Sequence, residues 1–164
     1  MTDDEEKVYE CLKGLNIEFE SYQHVAVFTV DDADKLYIEI PGQHCKNLFL
    51  RNQKDRDVHY LLILEDSRKA DLKKVASQIG STKFTFEKSE VLYDKLGLTP
   101  GSVSPFGLIN NKEKDVIVLL DDSLINGERI CFHPNINTAT VSLRVKDFMD
   151  FLTWCGNKVI LVEV

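Results

Sequence analysis

Cys45-Lys46-Asn47-Leu48-Phe49-Leu50-Arg51 is the stretch on which the fold turns. Leu48, Phe49 and Leu50 form a short apolar run of β-favouring character, and Tyr60-Leu61-Leu62-Ile63-Leu64 is a second. The polar link Asn52-Gln53-Lys54-Asp55-Arg56-Asp57 between them predicts an antiparallel hairpin, with strands over about 47–51 and 58–64. Lys46 then stands at the mouth of a buried strand, where its position is defined. An ammonium held in this way is a fixed positive charge for a phosphate or a developing oxyanion. Taken alone, such a lysine equally well solvates a strand end.

Outward from the hairpin, local signals alternate without a regular βαβ rhythm. Thr2 with Glu5 makes a capping-box pattern, and Val8, Leu12 and Leu15 follow at helical spacing to a stop near Gly14. A strand is expected over 18–22, and a helix from Thr29 through about Ile38, closed by Pro41-Gly42. Asp71 caps a helix with Leu72, Val75, Ala76 and Ile79 on one face, ended by Gly80. Lys83 to Phe86 alternates as a strand, and Ser89 opens a helix stopped by Gly97. Further strands are expected over 116–120, 130–132, 138–143 and 159–162, with a helix over 145–154 ended by Gly156. The pattern predicts an α+β fold: one domain over 1–164, with a mixed, mostly antiparallel sheet packed by helices.

The chain is long enough, at 164 residues, to bury one substantial core. No apolar run approaches membrane-spanning length, and the acidic start Asp3-Asp4-Glu5-Glu6 lacks the basic flank of a signal peptide, so a cytoplasmic protein without membrane contact is expected. The formal net charge of −7 argues against broad nonspecific nucleic-acid binding but leaves room for local contact with a polynucleotide end. Cys11, Cys45, Cys131 and Cys155 form no CxxC pair and read as reduced structural thiols. Cys45 stands apart, because an adjacent Lys46 is the kind of neighbour that lowers a thiol pKa.

Two later segments add candidate chemistry. Gly101-Ser102-Val103-Ser104-Pro105 has the form GxxxP; glycine permits close approach, while Pro100 and Pro105 stiffen a loop that can present backbone N–H groups. It also fits an ordinary connection between helix and strand. His133 ends an apolar strand before Pro134, where it can line a pocket or move a proton, or be a turn histidine satisfied by backbone. Asn137, Thr138 and Thr140 offer side-chain hydrogen bonds beside it. His24, His44, His59 and His133 show no metal-ligand spacing, and P-loop, GxSxG and dinucleotide fingerprints are missing; no metal and no cofactor is expected.

Together, KNLFLR (46–51), LGLTPGSVSPFGLIN (96–110) and FHPNINTATVSL (132–143), in this order, closely resemble the prolyl-tRNA editing family, the ProX or YbaK-like deacylases. The resemblance runs from the His24-to-Thr29 segment through the terminal helix and strand, and looks most like the free-standing alanine-specific branch. It implies a trans-editing hydrolase that deacylates mischarged Ala-tRNA(Pro), with the tRNA acceptor end as substrate and prolyl-tRNA synthetase as a candidate partner. It further implies that Lys46 holds the terminal phosphate or carbonyl side of the 3′ adenosine. Gly101, Ser102, Val103 and Pro105 would position the aminoacyl group and water, His133 would bound the aminoacyl pocket, and Asn137, Thr138 and Thr140 would adjoin it. The alternatives are a deacylase for Cys- or Ser-tRNA, and a noncatalytic aminoacyl-tRNA-binding regulator. Oligomeric state is left open.

Overall fold

The computed structural model describes residues 1–27 and 29–164; Phe28, inside the His24-to-Thr29 segment, lies outside the described residues. Along the chain run α1 (Asp3–Gly14), β1 (Phe19–Gln23), α2 (Val30–Glu39), β2 (Gln43–Asn52) and β3 (His59–Glu65). Then come α3 (Leu72–Gln78), β4 (Phe84–Phe86), α4 (Ser89–Leu96), a 3-10 turn (Pro105–Asn110) and β5 (Val116–Asp121). A second 3-10 turn (Asp122–Asn126), β6 (Arg129–Phe132), β7 (Ala139–Arg144), α5 (Val145–Cys155) and β8 (Val159–Val162) complete the fold.

The strands join in the order β1-β7-β6-β2-β3-β5-β8, with β4 also on β2. Ladders β1–β7, β6–β7, β2–β3 and β2–β4 are antiparallel, whereas β2–β6, β3–β5 and β5–β8 are parallel. The expected hairpin is present, in a register that sets Lys46 opposite Leu64 and Leu50 opposite Tyr60. Its first strand begins earlier than its apolar run, because Gln43 and His44 pair with Ile130 and Cys131 of β6. Lys46 is therefore inside a strand rather than at its mouth.

Strand β2 is the hinge of the architecture. Its start belongs to one half of the sheet, beside β6, β7 and β1, and its end to the other half, beside β3 and β4. The larger core packs Phe49, Leu61 and Ile63 with Leu12 of α1, Leu96 of α4 and Phe148, Phe151 and Leu152 of α5. A smaller core packs Leu50, Tyr60, Leu62 and Leu64, the alternate residues of the same strands, with Val75 and Ala76 of α3.

Helix ends follow the local chemistry. Thr2, Thr29 and Asp71 each accept the N–H three residues on (Glu5, Asp32 and Lys74; 3.2, 3.1 and 3.1 Å), the expected N-caps. The Glu5 carboxylate also accepts from Tyr9 Oη at 2.7 Å and Gln23 Nε2 at 2.6 Å, and so ties α1 to β1. Gly97 and Gly156 close α4 and α5 in the left-handed conformation, at φ 67° and 77°. No helix among the described residues is long and apolar enough to cross a membrane.

Candidate active site

Against the side of the β2–β6–β7 sheet away from the larger core, with α2 as its cover, lies a cavity of about 370 Å³. Strand alternation chooses its walls: Ile130 and Phe132 of β6 and Val141 and Leu143 of β7 enter the larger core, which turns Cys131 and Thr140 toward the other side. Val27, Ala33 and Leu36 add apolar wall, while Thr29, His44, Asp66, His133 and Thr140 add polar wall.

The imidazoles around this cavity are held by main-chain carbonyls. His133, just past β6, bonds the Ala139 carbonyl through Nδ1 at 2.8 Å, and His44 bonds the Ile40 carbonyl through Nε2 at 2.9 Å. Burial pushes both rings below their ordinary pKa, since a charged imidazolium loses solvation there. His24 bonds the Val25 carbonyl through Nδ1 at 2.7 Å and meets the Thr140 hydroxyl through Nε2 at 2.9 Å; its ring centre lies 6.0 Å from that of His133.

Residues 137–140 act on one partner, the segment at 24–27. Asn137 Nδ2 donates to the Val27 carbonyl at 3.3 Å, the Thr138 carbonyl accepts the His24 N–H at 2.9 Å, and Thr140 meets the His24 ring. Asn135 turns the intervening loop in the left-handed conformation at φ 63°, which an asparagine tolerates. These side chains thus fix the entry into α2 as well as adjoining the cavity.

Lys46 is half-buried, and its side chain makes no hydrogen bond or ion pair among the described residues. It does not line the cavity, but it shares a strand face with His44, which does; two residues along a strand is roughly 7 Å. Its other face-mates are Leu48 and Leu50, so it stands between the cavity and the smaller core. The adjacent Cys45 does line the cavity, yet its thiol pKa is raised well above 9, chiefly by burial. The lowering expected from Lys46 is not found: the lysine is on the opposite strand face, and desolvation with nearby acidic groups makes the group a neutral thiol, unsuited to nucleophilic attack. All four cysteines are free.

The GxxxP loop is not part of the cavity wall. It reaches β2 from the other side, where Asn47 Nδ2 donates to the Val103 carbonyl at 3.2 Å. Ser102 and Pro105 are buried and Val103 half-buried, and the Phe106 N–H donates to Ser104 Oγ at 3.2 Å to start the 3-10 turn. Gly101 is exposed at φ 89°, with open space where a side chain would stand, so its requirement is conformational rather than steric.

Of the residues picked out from sequence, His133 and Thr140 share the cavity, Asn137 and Thr138 brace its edge, and Lys46 and the 101–105 loop approach through β2. Four contributors were missed, among them His44, which lines the cavity but stood in the sequence only as a non-ligand. His24 stood in the sequence only as a non-ligand, and 116 residues separate it from Thr140. Asp66 reads as the polar end of a strand, and Cys131 as a buried strand thiol. No local signal marks either, because what brings them to His44 is strand pairing: Asp66 N–H donates to the His44 carbonyl at 2.8 Å, and Cys131 is the β6 partner of His44. Among the described residues no cluster of three or more His, Cys, Asp or Glu is arranged to hold a metal ion.

Comparisons with known proteins bear on family and fold. Residues 24–151 match the family described as the aminoacyl-tRNA editing domain. The prolyl-tRNA editing protein ProX of Acetoanaerobium sticklandii is 36% identical over 162 residues, covering 99% of this chain and 98% of that one. The prolyl-tRNA synthetase associated domain-containing protein 1 of Bos taurus is 32% identical over 156 residues, 93% of this chain and 90% of its own. A crystal structure proposed as a trans-editing enzyme for prolyl tRNA synthetase superposes with a TM-score of 0.75 at 18% identity, covering 100% of this chain and 99% of the other, a likeness of fold. The chain belongs to the aminoacyl-tRNA editing domain family.

Proposed function

We propose that this aminoacyl-tRNA deacylase edits in trans, cleaving alanine from mischarged Ala-tRNA(Pro), with the whole chain acting as one editing domain. A synthetase site built for proline rejects alanine weakly, because missing methylenes are worth only about 1–3 kcal/mol. A separate site that admits alanine and excludes the proline ring supplies the discrimination. The likeness over nearly full length to a relative named for prolyl-tRNA editing supports that substrate.

The observation that carries the reading is the meeting of the three motif segments on β2. Cys45 and His133 share a cavity wall, His44 pairs with Cys131, and Asn47 holds Val103. In this reading the Lys46 ammonium takes the terminal phosphate or the carbonyl side of the 3′ adenosine. The backbone of 101–105 positions the aminoacyl ester and a water, and His133 bounds the aminoacyl pocket. Water adds to the ester carbonyl, the bond to the ribose oxygen breaks, and alanine and the free tRNA 3′ end leave. Holding an already activated ester and a water in register is the main catalytic demand. In this reading, as the family resemblance implies, the tRNA's own vicinal ribose hydroxyl assists the water, and burial, which pushes the Cys45 thiol up, argues against a thiolate.

The test is deacylation of Ala-tRNA(Pro) beside Pro-tRNA(Pro) by wild type and Lys46→Ala, with circular dichroism to confirm folding. Selective release of alanine, abolished in the variant, is expected. Full activity in a folded Lys46→Ala would remove the role given to that lysine, and preference for Cys- or Ser-tRNA in a wider panel would overturn the alanine assignment.

A further inference from the structure

One margin of the sheet is left uncovered on the side of the smaller core. Lys46 lies opposite Leu64 and Leu50 opposite Phe86, so strand alternation puts Lys46, Leu48, Leu50 and Phe86 on the same face. The Glu87 N–H continues the β4 ladder to the Phe49 carbonyl at 3.0 Å, which brings the next residue, Lys88, alongside Leu48. Core packing accounts for Phe84, which is 4% exposed with its ring centre 5.0 Å from that of Tyr60. It does not account for Phe86, the next residue on that face, which is 63% exposed. Helix α3 covers this core but is drawn toward the β8 edge, where Gln78 Nε2 donates to the Glu163 carbonyl at 2.6 Å and Gln78 Oε1 accepts the Glu163 N–H at 2.8 Å. The margin on β2 and β4 therefore runs from a lysine, past a half-buried leucine beside a second lysine, to an exposed phenyl ring.

The charge of this strip is one-sided. Neither Lys46 nor Lys88 makes a side-chain ion pair among the described residues. Glu87, the acid between Phe86 and Lys88, is turned to the opposite face of the ladder, where its buried carboxylate meets His59 Nδ1 at 2.6 Å. Residues 46–88 carry ten basic and six acidic side chains in a chain of net charge −7. An exposed aromatic ring between ammonium groups matches single-stranded nucleic acid, whose bases stack on the ring while its phosphates meet the cations. We propose that Phe86 is the stacking platform for an unpaired base near the 3′ end of the tRNA, with Lys88 on the adjoining phosphate. This rests on the deacylase reading, in which Lys46 holds the terminal adenosine, and adds how the strand leading to it is held. Lys46 and Leu50 are four residues apart, roughly 13 Å along the strand, so the stacked base belongs to a nucleotide upstream of the terminal adenosine. Every base has a π-face, so the strip supplies affinity and a direction of approach rather than a choice among bases.

Phe86 is exposed, so its substitution spares the core, and two measurements on the full chain test its role. In deacylation of Ala-tRNA(Pro), Phe86→Leu is expected to raise KM about tenfold with kcat nearly unchanged, and Phe86→Trp to keep the low KM of wild type. Lys88→Ala is expected to flatten the dependence of log KM on log salt by about 0.7, the share of one single-strand phosphate. In the second measurement a short single-stranded RNA ending in CCA is titrated into Phe86→Trp, against wild type, whose one tryptophan is Trp154. Quenching beyond the wild-type background is expected. An unchanged KM in Phe86→Leu while wild type cleaves the ester would overturn the inference and leave the deacylase reading standing, and so would absence of quenching. An unchanged salt slope in Lys88→Ala would overturn the phosphate contact given to that lysine. Quenching without cleavage of any aminoacyl ester by wild type would overturn the deacylase reading and leave the strip as a single-strand site.

Discussion

His133 and His44 are half-buried rings in which desolvation favours the neutral form, and that has a consequence for stability apart from catalysis. Both have folded-state pKa values below the unfolded value of about 6.5, so between the two values the unfolded chain binds more protons. Their contribution is therefore intact above pH ~6.5 and is lost as pH falls toward the lower folded values. The midpoint of urea unfolding should drop between pH 7.5 and 5.5, and His133→Gln should shrink that drop. An undiminished drop in the variant would mean that other groups set the acid limb. At this scale sequence reading reached the residues whose neighbours announce them. His133 before proline at a strand end and Gly101 between rigid prolines were legible, and Asp66 was not. Its chemistry depends on a hairpin register that pairs Cys45 with Glu65 and so delivers the next residue to His44.

The 3-10 turn after the GxxxP loop is fastened by one side chain. Phe106 is fully buried, with ring centres 5.8 Å from Phe132 and 5.3 Å from Phe151, both in edge-on geometry. A backward link comes from Gly107, where a Cβ would stand 2.7 Å from Leu98 Cδ1 and 3.1 Å from the Leu96 carbonyl oxygen. Loop, α4 and α5 are thus one packed unit, and the backbone presented at 101–105 is only as rigid as that packing. Phe106→Ala should cost about 3–5 kcal/mol of stability by chemical denaturation, the usual range for a buried Phe→Ala change. A cost below about 1 kcal/mol would show the loop to be anchored elsewhere. Most elements were readable from periodicity and caps, such as Asp71 opening α3 and Gly156 ending α5. The 3-10 turn was not, since Pro105 and Gly107 locally signal a break, and what makes them helical is Phe106 seeking the core.

Across the whole molecule, burial is uneven in a way that bears on the site. Leu61, Leu62, Ile63 and Leu64 of β3 are fully buried, as are Val116, Val118 and Leu119 of β5. No described side chain of α2 is buried, and Ile38 is 87% exposed. Local stability follows buried contact, so amide exchange should be slowest in β3 and β5 and fastest among the helices in α2, the cover of the cavity. Protection of α2 equal to that of β3 would contradict this. The α+β class was legible from the interspersed patterns, but the parallel joins β2–β6 and β3–β5 were not, because each links strands far apart in sequence.

Strand β2 serves two masters along its length. One face runs from His44 at the cavity through Lys46 to Leu48 and Leu50 in the smaller core; the other runs from Cys45 through Asn47, which holds the loop, to Phe49 in the larger one. An ordinary sheet strand lets every second position drift through polar substitutes over evolutionary time. Here neither register is idle, so the segment is expected to diverge more slowly than strands of equal burial, and a lineage that changes one of its residues must change a neighbour on another element with it.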